Sequence, residues 1–170
     1  MVLFTGNPDA RLRAAEEAFV ANLGANLQAP GVMQAQNGDY LLSPNGNYFA
    51  TIQPDGNLCV YPCDGGPPHT GSAIFCTLSA SQCLAAYFVA MQSDGNLCVY
   101  SGIGDPFWLA DVTPIWASWS QQPTSSVQCY LTLESDGDLN VYLGTPSSQG
   151  DLLWTSYSRG LDAARAKNKQ

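Results

Sequence analysis

Gln53, Asp55, Asn57, Cys59 and Tyr61 alternate through residues 53–61, and the same five types return at Gln92, Asp94, Asn96, Cys98 and Tyr100. A third, altered copy reads Glu134, Asp136, Asp138, Asn140 and Tyr142. In a strand, residues two apart share a face, so this spacing predicts a row of amide, carboxylate, amide and phenol on one side, with Ile52, Leu58 and Val60 on the other. Packing gives no reason for such a polar row. A polyhydroxylated ligand does: sugar hydroxyls both donate and accept, and they are matched by an acceptor-only carboxylate beside amides that offer both functions. Hydrogen bonds to an ionised carboxylate are worth about 1.5–3 kcal/mol against about 1 for neutral pairs, so Asp55 and Asp94 should dominate their sites.

The elements that hold these residues repeat with one period. Asn57 to Asn96 spans 39 residues and Asn96 to Asp138 spans 42. An aliphatic-aromatic pair follows each copy, Ile74-Phe75, Ile115-Trp116 and Leu153-Trp154, at separations of 41 and 38. Two landmarks sharing a period of about 40 predict three units that close into one body, the aromatic member of each pair meeting its counterparts near the axis. Asn37-Gly38, Pro44-Asn45-Gly46 and the Asp-Gly pairs inside the copies predict hairpins, and residues 62–71 read as a loop.

The motif Gln-x-Asp-x-Asn-x-(apolar)-x-Tyr resembles the signature of the bulb-type, or monocot, mannose-binding lectins, over residues 27–158. The resemblance implies an all-β fold, the β-prism II, with pseudo-threefold symmetry and three four-stranded antiparallel sheets. It also implies that Asp and Asn hold the mannose 2-hydroxyl, that Tyr and Gln reach the 3- and 4-hydroxyls, and that the apolar residue packs on ring carbons. Cys59 and Cys98 stand where the family has Val, and a thiol is a small hydrophobe that can fill that place. The third copy departs at Glu134, Asp138 and Asn140, and its three carboxylates lack the neutral donors a sugar needs. It reads as a degenerate site. A calcium site from Glu134, Asp136, Asp138 and Asn140 is the less favoured alternative, because calcium takes six or more oxygens. No metal and no cofactor is expected.

Bulk properties narrow the partners. The chain has 170 residues, 45% hydrophobic and 12% charged, which suits one domain with a real core. A net charge of −8 opposes nucleic acid and anionic membrane alike. Of the six basic residues, Arg159, Arg165, Lys167 and Lys169 fall in a basic C-terminal tail, residues 159–170, read as a solvated terminus. No stretch is long and apolar enough to span a membrane.

At the other end, Asn7-Pro8 reads as a helix start, and Leu12, Ala15, Phe19, Val20 and Leu23 share a helical face that Gly24 closes. An amphipathic helix over residues 8–23 is therefore expected within an N-terminal extension, residues 1–26. Its stripe must cover the prism, a second subunit or a membrane surface, with the prism preferred. The resemblance does not include this helix.

Six cysteines favour disulfides and an extracellular or secreted setting, yet no secretory signal is visible. Either a signal has been removed, or export takes another route, or the thiols stay free inside the cell. Pairing each signature cysteine with the one opening the next unit joins Cys59 to Cys83 and Cys98 to Cys129 and leaves Cys63 with Cys76, one of fifteen connectivities.

Catalytic machinery is not visible. His69 is the sole histidine and lies in a Gly-Pro loop. Asp136 and Asp138 on one strand cannot flank a glycosidic bond from both sides. The sequence therefore reads as a non-catalytic lectin that recognises terminal mannose or mannose-rich glycans through two repeated strand sites, or three if the degenerate copy takes part. The alternative is a sugar-independent interaction or membrane-active module on the same scaffold. The family's habit of exchanging its last strand, here near residues 152–156, points to a homodimer.

Overall fold

A computed structural model describes residues 21–80, 86–102, 111–124 and 127–156. Twelve strands among them form three antiparallel four-stranded sheets, as expected. In the first, β3 (Tyr40–Leu42) lies beside the meander β4 (Tyr48–Ile52), β5 (Leu58–Pro62), β6 (Phe75–Cys76). The second sets β2 (Gly31–Gln34) beside β7 (Tyr87–Met91), β8 (Leu97–Gly102), β9 (Val112–Ala117). The third sets β1 (Asn26–Gln28) beside β10 (Cys129–Leu133), β11 (Leu139–Thr145), β12 (Ser148–Thr155).

Each repeat thus supplies three strands, and the fourth strand of every sheet comes from the segment 26–42. That segment visits the third sheet, then the second, then the first, and so laces the units into one body. Period-2 alternation turns one face of each sheet inward. Leu41, Ile52, Leu58 and Val60, Met33, Val89, Leu97 and Val99, and Leu131, Leu133, Leu139 and Val141 fill a single buried core.

The aromatic members of the three pairs meet as the period predicts. Trp154 packs edge-on against both Phe75, at 5.9 Å between ring centroids, and Trp116, at 5.6 Å. The aliphatic members close the ring of sheets in a second way. Gly56, Gly95 and Gly137 all adopt left-handed backbone, with φ of +89°, +91° and +90°. A Cβ on Gly56 would meet Ile115 at 3.2 Å, one on Gly95 would meet Leu153 at 3.4 Å, and one on Gly137 would meet Ile74 at 2.6 Å. Each turn therefore rests on the pair of the next sheet in cyclic order. Glycine is favoured by φ at all three turns and by the close approach at Gly56 and Gly137.

The helix expected over 8–23 lies outside the described residues except for Ala21, Asn22 and Leu23, and these three are not helical. Asn22 bridges Tyr40 in parallel, Leu23 N donates to Tyr40 O at 3.0 Å, and Tyr40 N donates to Ala21 O at 3.1 Å. Asn22 Oδ1 accepts from Gly24 N at 2.9 Å, turning the chain toward β1. The free edge of β3 competes for these backbone groups and takes them from a last helical turn.

Candidate ligand-binding site

The signature does not run along one strand. Its first half is a hairpin turn and only its second half is strand: β5, β8 and β11 begin at Leu58, Leu97 and Leu139. In the first copy Gly56 N donates to Gln53 O at 2.9 Å and Gln53 N to Asn57 O at 2.8 Å. Copies two and three repeat the pair, Gly95 N to Gln92 O at 3.0 Å with Gln92 N to Asn96 O at 2.9 Å, and Gly137 N to Glu134 O at 3.0 Å with Glu134 N to Asp138 O at 2.9 Å. This is the three-residue hairpin loop, a type I turn closed by a left-handed glycine. The expectation of five side chains in a row is corrected accordingly, because the Asp-Gly pair favours the turn over extension.

Each signature aspartate caps its own turn. Asp55 Oδ1 accepts from Asn57 N at 3.0 Å, Asp94 Oδ1 from Asn96 N at 2.9 Å, and Asp136 Oδ1 from Asp138 N at 3.0 Å. Asp55 Oδ2 also takes Asn57 Nδ2 at 3.1 Å. A carboxylate offers about four lone-pair sites, so the exposed Asp55 keeps acceptor capacity for a ligand. Gln53 and Gln92 fold back over the strand and donate from Nε2 to Tyr61 Oη at 2.8 Å and Tyr100 Oη at 2.9 Å. Gln and Tyr are thereby joined along β5, next in the chain to the turn that carries Asp and Asn, and again along β8.

The cysteines differ between the two copies. Cys59 pairs across the ladder with Cys76, and the two form a disulfide with Cα atoms 4.2 Å apart. That corrects the pairing of Cys59 with Cys83 and of Cys63 with Cys76. Cys63 is a free buried thiol that donates to Gly46 O at 3.3 Å. Cys98 and Cys129 are free and buried as well, so they do not pair with each other. The Cys98 thiol donates to Gln92 Oε1 at 3.3 Å, whereas the disulfide sulfur of Cys59 has no proton and its 3.3 Å approach to Gln53 Oε1 is a packing contact. Burial pushes the Cys98 thiol up to about 11, the hydrogen bond with Tyr100 opposing and the Asp94 charge adding. Burial likewise raises Tyr100 to about 12, the neighbouring Cys98 adding.

Aromatic stacking sets the walls. Tyr61 lies between Phe49, at 5.6 Å and 22°, and His69, at 4.8 Å and 20°. The sole histidine therefore covers the tyrosine of the first copy. In the second copy Tyr100 stacks on Phe88 at 5.3 Å.

The third copy reverses the polarity of the central bond. Tyr142 Oη donates to Glu134 Oε1 at 2.9 Å, so the tyrosine proton is directed at the carboxylate instead of outward. Burial raises the Tyr142 hydroxyl, and Glu134 raises it further. A groove of about 410 Å³ lies here, lined by Tyr130, Thr132, Glu134, Asp136, Asn26 and Gln149 among others. Asn140, 5% exposed, stands across from Thr132, and its Oδ1 is buried without a partner. Glu134, Asp136 and the Tyr142 oxygen present acceptors to this groove, while Asn26, Thr132 and Gln149 bring donors to its walls. Among the described residues no three His, Cys, Asp or Glu side chains gather as a metal would need.

One set of residues was missed by the sequence reading. Thr77 and Ser79 bracket the first turn: Leu58 N donates to Thr77 Oγ1 at 3.1 Å and Ser79 Oγ donates to Gly56 O at 2.6 Å. Ser118 and Ser120 do the same, Leu97 N reaching Ser118 Oγ at 3.0 Å and Ser120 Oγ reaching Gly95 O at 2.7 Å. In the third unit Leu139 N donates to Ser156 Oγ at 2.9 Å. The legible signal was a hydroxyl-x-Ser triplet three residues after the start of each aliphatic-aromatic pair: Thr77-Leu78-Ser79, Ser118-Trp119-Ser120 and Ser156-Tyr157-Ser158.

This geometry has counterparts among solved structures. A monomeric monocot mannose-binding lectin from Gastrodia elata matches with TM-score 0.57 at 25% identity, over 78% of this chain and 96% of its own. The chain has the fold of the monocot mannose-binding lectins. The Japanese Marasmius oreades lectin matches with TM-score 0.58 at 24% identity, over 82% of this chain and 96% of its own. Polygonatum cyrtonema lectin, solved with a monomannoside, gives TM-score 0.53 at 18% identity over 75% and 96%. No protein-family model matches the sequence, and no curated protein sequence does. The likeness to the monocot lectins is therefore one of fold, joined to the signature residues that the first two copies retain.

Proposed function

We propose that this chain is a non-catalytic carbohydrate-binding protein that takes terminal mannose, or mannose-rich glycans, at two sites. The first is Gln53, Asp55, Asn57, Cys59 and Tyr61, and the second is Gln92, Asp94, Asn96, Cys98 and Tyr100. The supporting observation is the superposable pair of Gln-to-Tyr and Asp-to-main-chain hydrogen bonds in these copies. In both, the glutamine donates to the tyrosine oxygen, which leaves the phenol proton able to point elsewhere. The carboxylate meets hydroxyl donors, while Cys59 and Cys98, 1% and 3% exposed, serve as packing and are not offered to ring carbons as the sequence reading expected.

The third copy takes no part in mannose binding, since Glu134, Asp136 and Tyr142 offer a neutral sugar few donors. A single contact of this kind is weak, about −4 kcal/mol or millimolar. Two sites in one chain, or four in a pair of chains joined through β12, multiply avidity by about 10² to 10⁴ where spacing allows.

Calorimetric titration with methyl α-mannoside tests the reading. Two equivalents bound per chain with millimolar affinity support it, and no heat up to tens of millimolar overturns it. A reducing-sugar assay on oligomannosides separates binding from hydrolysis, with steady product release excluding the lectin.

A further inference from the structure

Beside each of the first two turns the chain displays a large apolar side chain in a conformation that its type disfavours. Leu78 has φ +56° and Trp119 has φ +60°, and they are 87% and 79% exposed. Left-handed backbone is unfavourable for any residue with a bulky Cβ substituent, and neither side chain gains burial in return. The two occupy the same place in their units, so the arrangement is a repeated device.

What enforces it is the hydroxyl bracket. Thr77 and Ser79 share a hydrogen bond of 2.6 Å, as do Ser118 and Ser120, and the second hydroxyl of each pair anchors to the turn glycine's carbonyl. With both neighbours pointing into the turn, the residue between them can only point away from it. The bracket is also joined to the signature: Ser118 Oγ lies 3.1 Å from Asn96 Oδ1, and Gln122 N donates to Asp94 O at 2.7 Å. Residues 118–122 therefore wrap the turn that carries Asp94 and Asn96, and Trp119 stands at its rim.

We propose that Trp119 is the platform of a second saccharide subsite, taking the apolar C–H face of the pyranose linked to the one held by Asp94 and Asn96. This rests on the carbohydrate-binding reading of that turn. Chemistry selects the occupant: an indole face with the amides of Gln121 and Gln122 close by in the chain suits a ring that is apolar on its face and polar at its edge. A membrane is disfavoured because Leu78 and Trp119 follow the outer strands of different sheets, β6 and β9, and a body of charge −8 repels anionic lipid. Leu78 holds the equivalent place without a π-face, so the second subsite belongs to the second unit.

The test is calorimetric titration of the intact chain, of Trp119→Ala and of Leu78→Ala, each with methyl α-mannoside and with an α-linked mannobiose. The expected result is that the disaccharide binds the intact chain about five- to tenfold more tightly than the monosaccharide. Trp119→Ala removes that gain while its monosaccharide affinity stays within twofold, and Leu78→Ala keeps the gain. A disaccharide gain that survives Trp119→Ala overturns the subsite and leaves the monosaccharide sites standing. Absence of monosaccharide binding in every variant overturns the underlying reading and the subsite with it. Cosedimentation with phosphatidylcholine vesicles that is lost in Trp119→Ala reassigns the residue to a lipid surface and overturns the proposal. Trp119→Asn, which suits left-handed backbone, melts at or above the intact chain and shows that the fold does not depend on the indole.

Discussion

The signature aspartates do two jobs, and a pair of double variants separates them. In Asp55→Asn with Asp94→Asn, the new Oδ1 still accepts from the main-chain N–H groups of Asn57 and Asn96, now at 3.0 and 2.9 Å, so each turn keeps its cap. The charge is lost, and at the first site so is the acceptor that Asp55 Oδ2 offers Asn57 Nδ2 at 3.1 Å. A hydrogen bond to a carboxylate is worth about 1.5–3 kcal/mol against about 1 for a neutral acceptor, so each site loses about 0.5–2 kcal/mol of binding, or two- to thirtyfold in affinity. Asp55→Ala with Asp94→Ala removes the cap as well, at about 1 kcal/mol per turn, which lowers the melting temperature by about 4–8 °C for a chain of this size. Titration with methyl α-mannoside reads the first quantity and differential scanning calorimetry the second. Wild-type affinity in the Asn pair refutes the reasoning, because the carboxylates then only hold turns. An Ala pair that melts like the intact chain refutes the other half.

Four further outcomes follow from the same contacts. Gly137→Ala places a Cβ 2.6 Å from Ile74 and 3.0 Å from Tyr48 at φ +90°, and is expected to cost about 2–4 kcal/mol in a denaturant melt. Reducing the Cys59–Cys76 disulfide, which closes a loop of sequence separation 17, is expected to cost about 3 kcal/mol, while Cys98 and Cys129 resist alkylation at pH 8 until the chain unfolds. On the alkaline side, Cys98, Cys129 and Tyr100 keep their protons in the folded chain where the unfolded chain loses them, from the ordinary values of 9.0 and 10.0 upward. The unfolded state then binds fewer protons, so stability is full below pH 9 and falls as pH climbs toward 11 and 12, which urea melts at stepped pH will show. Glu134→Gln with Asp138→Asn restores an amide donor to Tyr142 and a second amide to the turn, and calorimetric stoichiometry for methyl α-mannoside is expected to rise from two to three.

The architecture was legible because the repeat is written twice, once in the signature and once in the aliphatic-aromatic pairs. Both fix the same period, and Ile52, Leu58 and Val60 mark the buried face by simple alternation. The source of the fourth strands was not legible. Segment 26–42 carries no internal repeat, so nothing local distinguishes Leu27, Met33 and Leu41, each of which enters a different sheet. Three buried side chains in one short segment, facing one core from three directions, are a tertiary arrangement. The end of the expected helix fails for a related reason: Leu23 satisfies the helical period, but the open edge of β3 offers Ala21 and Leu23 hydrogen bonds that the period cannot anticipate.

At the site, residue types were legible and their geometry was not. Period-2 spacing put Gln53 to Tyr61 on one strand face, although Asp-Gly in the middle is itself a turn signal. What brings the residues together is the glutamine, which spans the gap between turn and strand to reach a tyrosine eight residues on. That one bond also explains why the third copy differs in kind. Changing Gln to Glu keeps the length and the partner, Tyr142, but a carboxylate cannot donate, so the proton in the bond must come from the phenol. The tyrosine then presents only lone pairs to the groove, beside a glutamate and an aspartate that also present only lone pairs. A single atom exchanged at residue 134 thus turns the signature's own pair of amide and phenol, which accepts and donates, into a carboxylate and phenol that only accept. Charge repulsion is secondary to this: the donors left around the groove, on Asn26, Thr132 and Gln149, belong to β1, β10 and β12 and not to the residue that carries the amide in the first two copies.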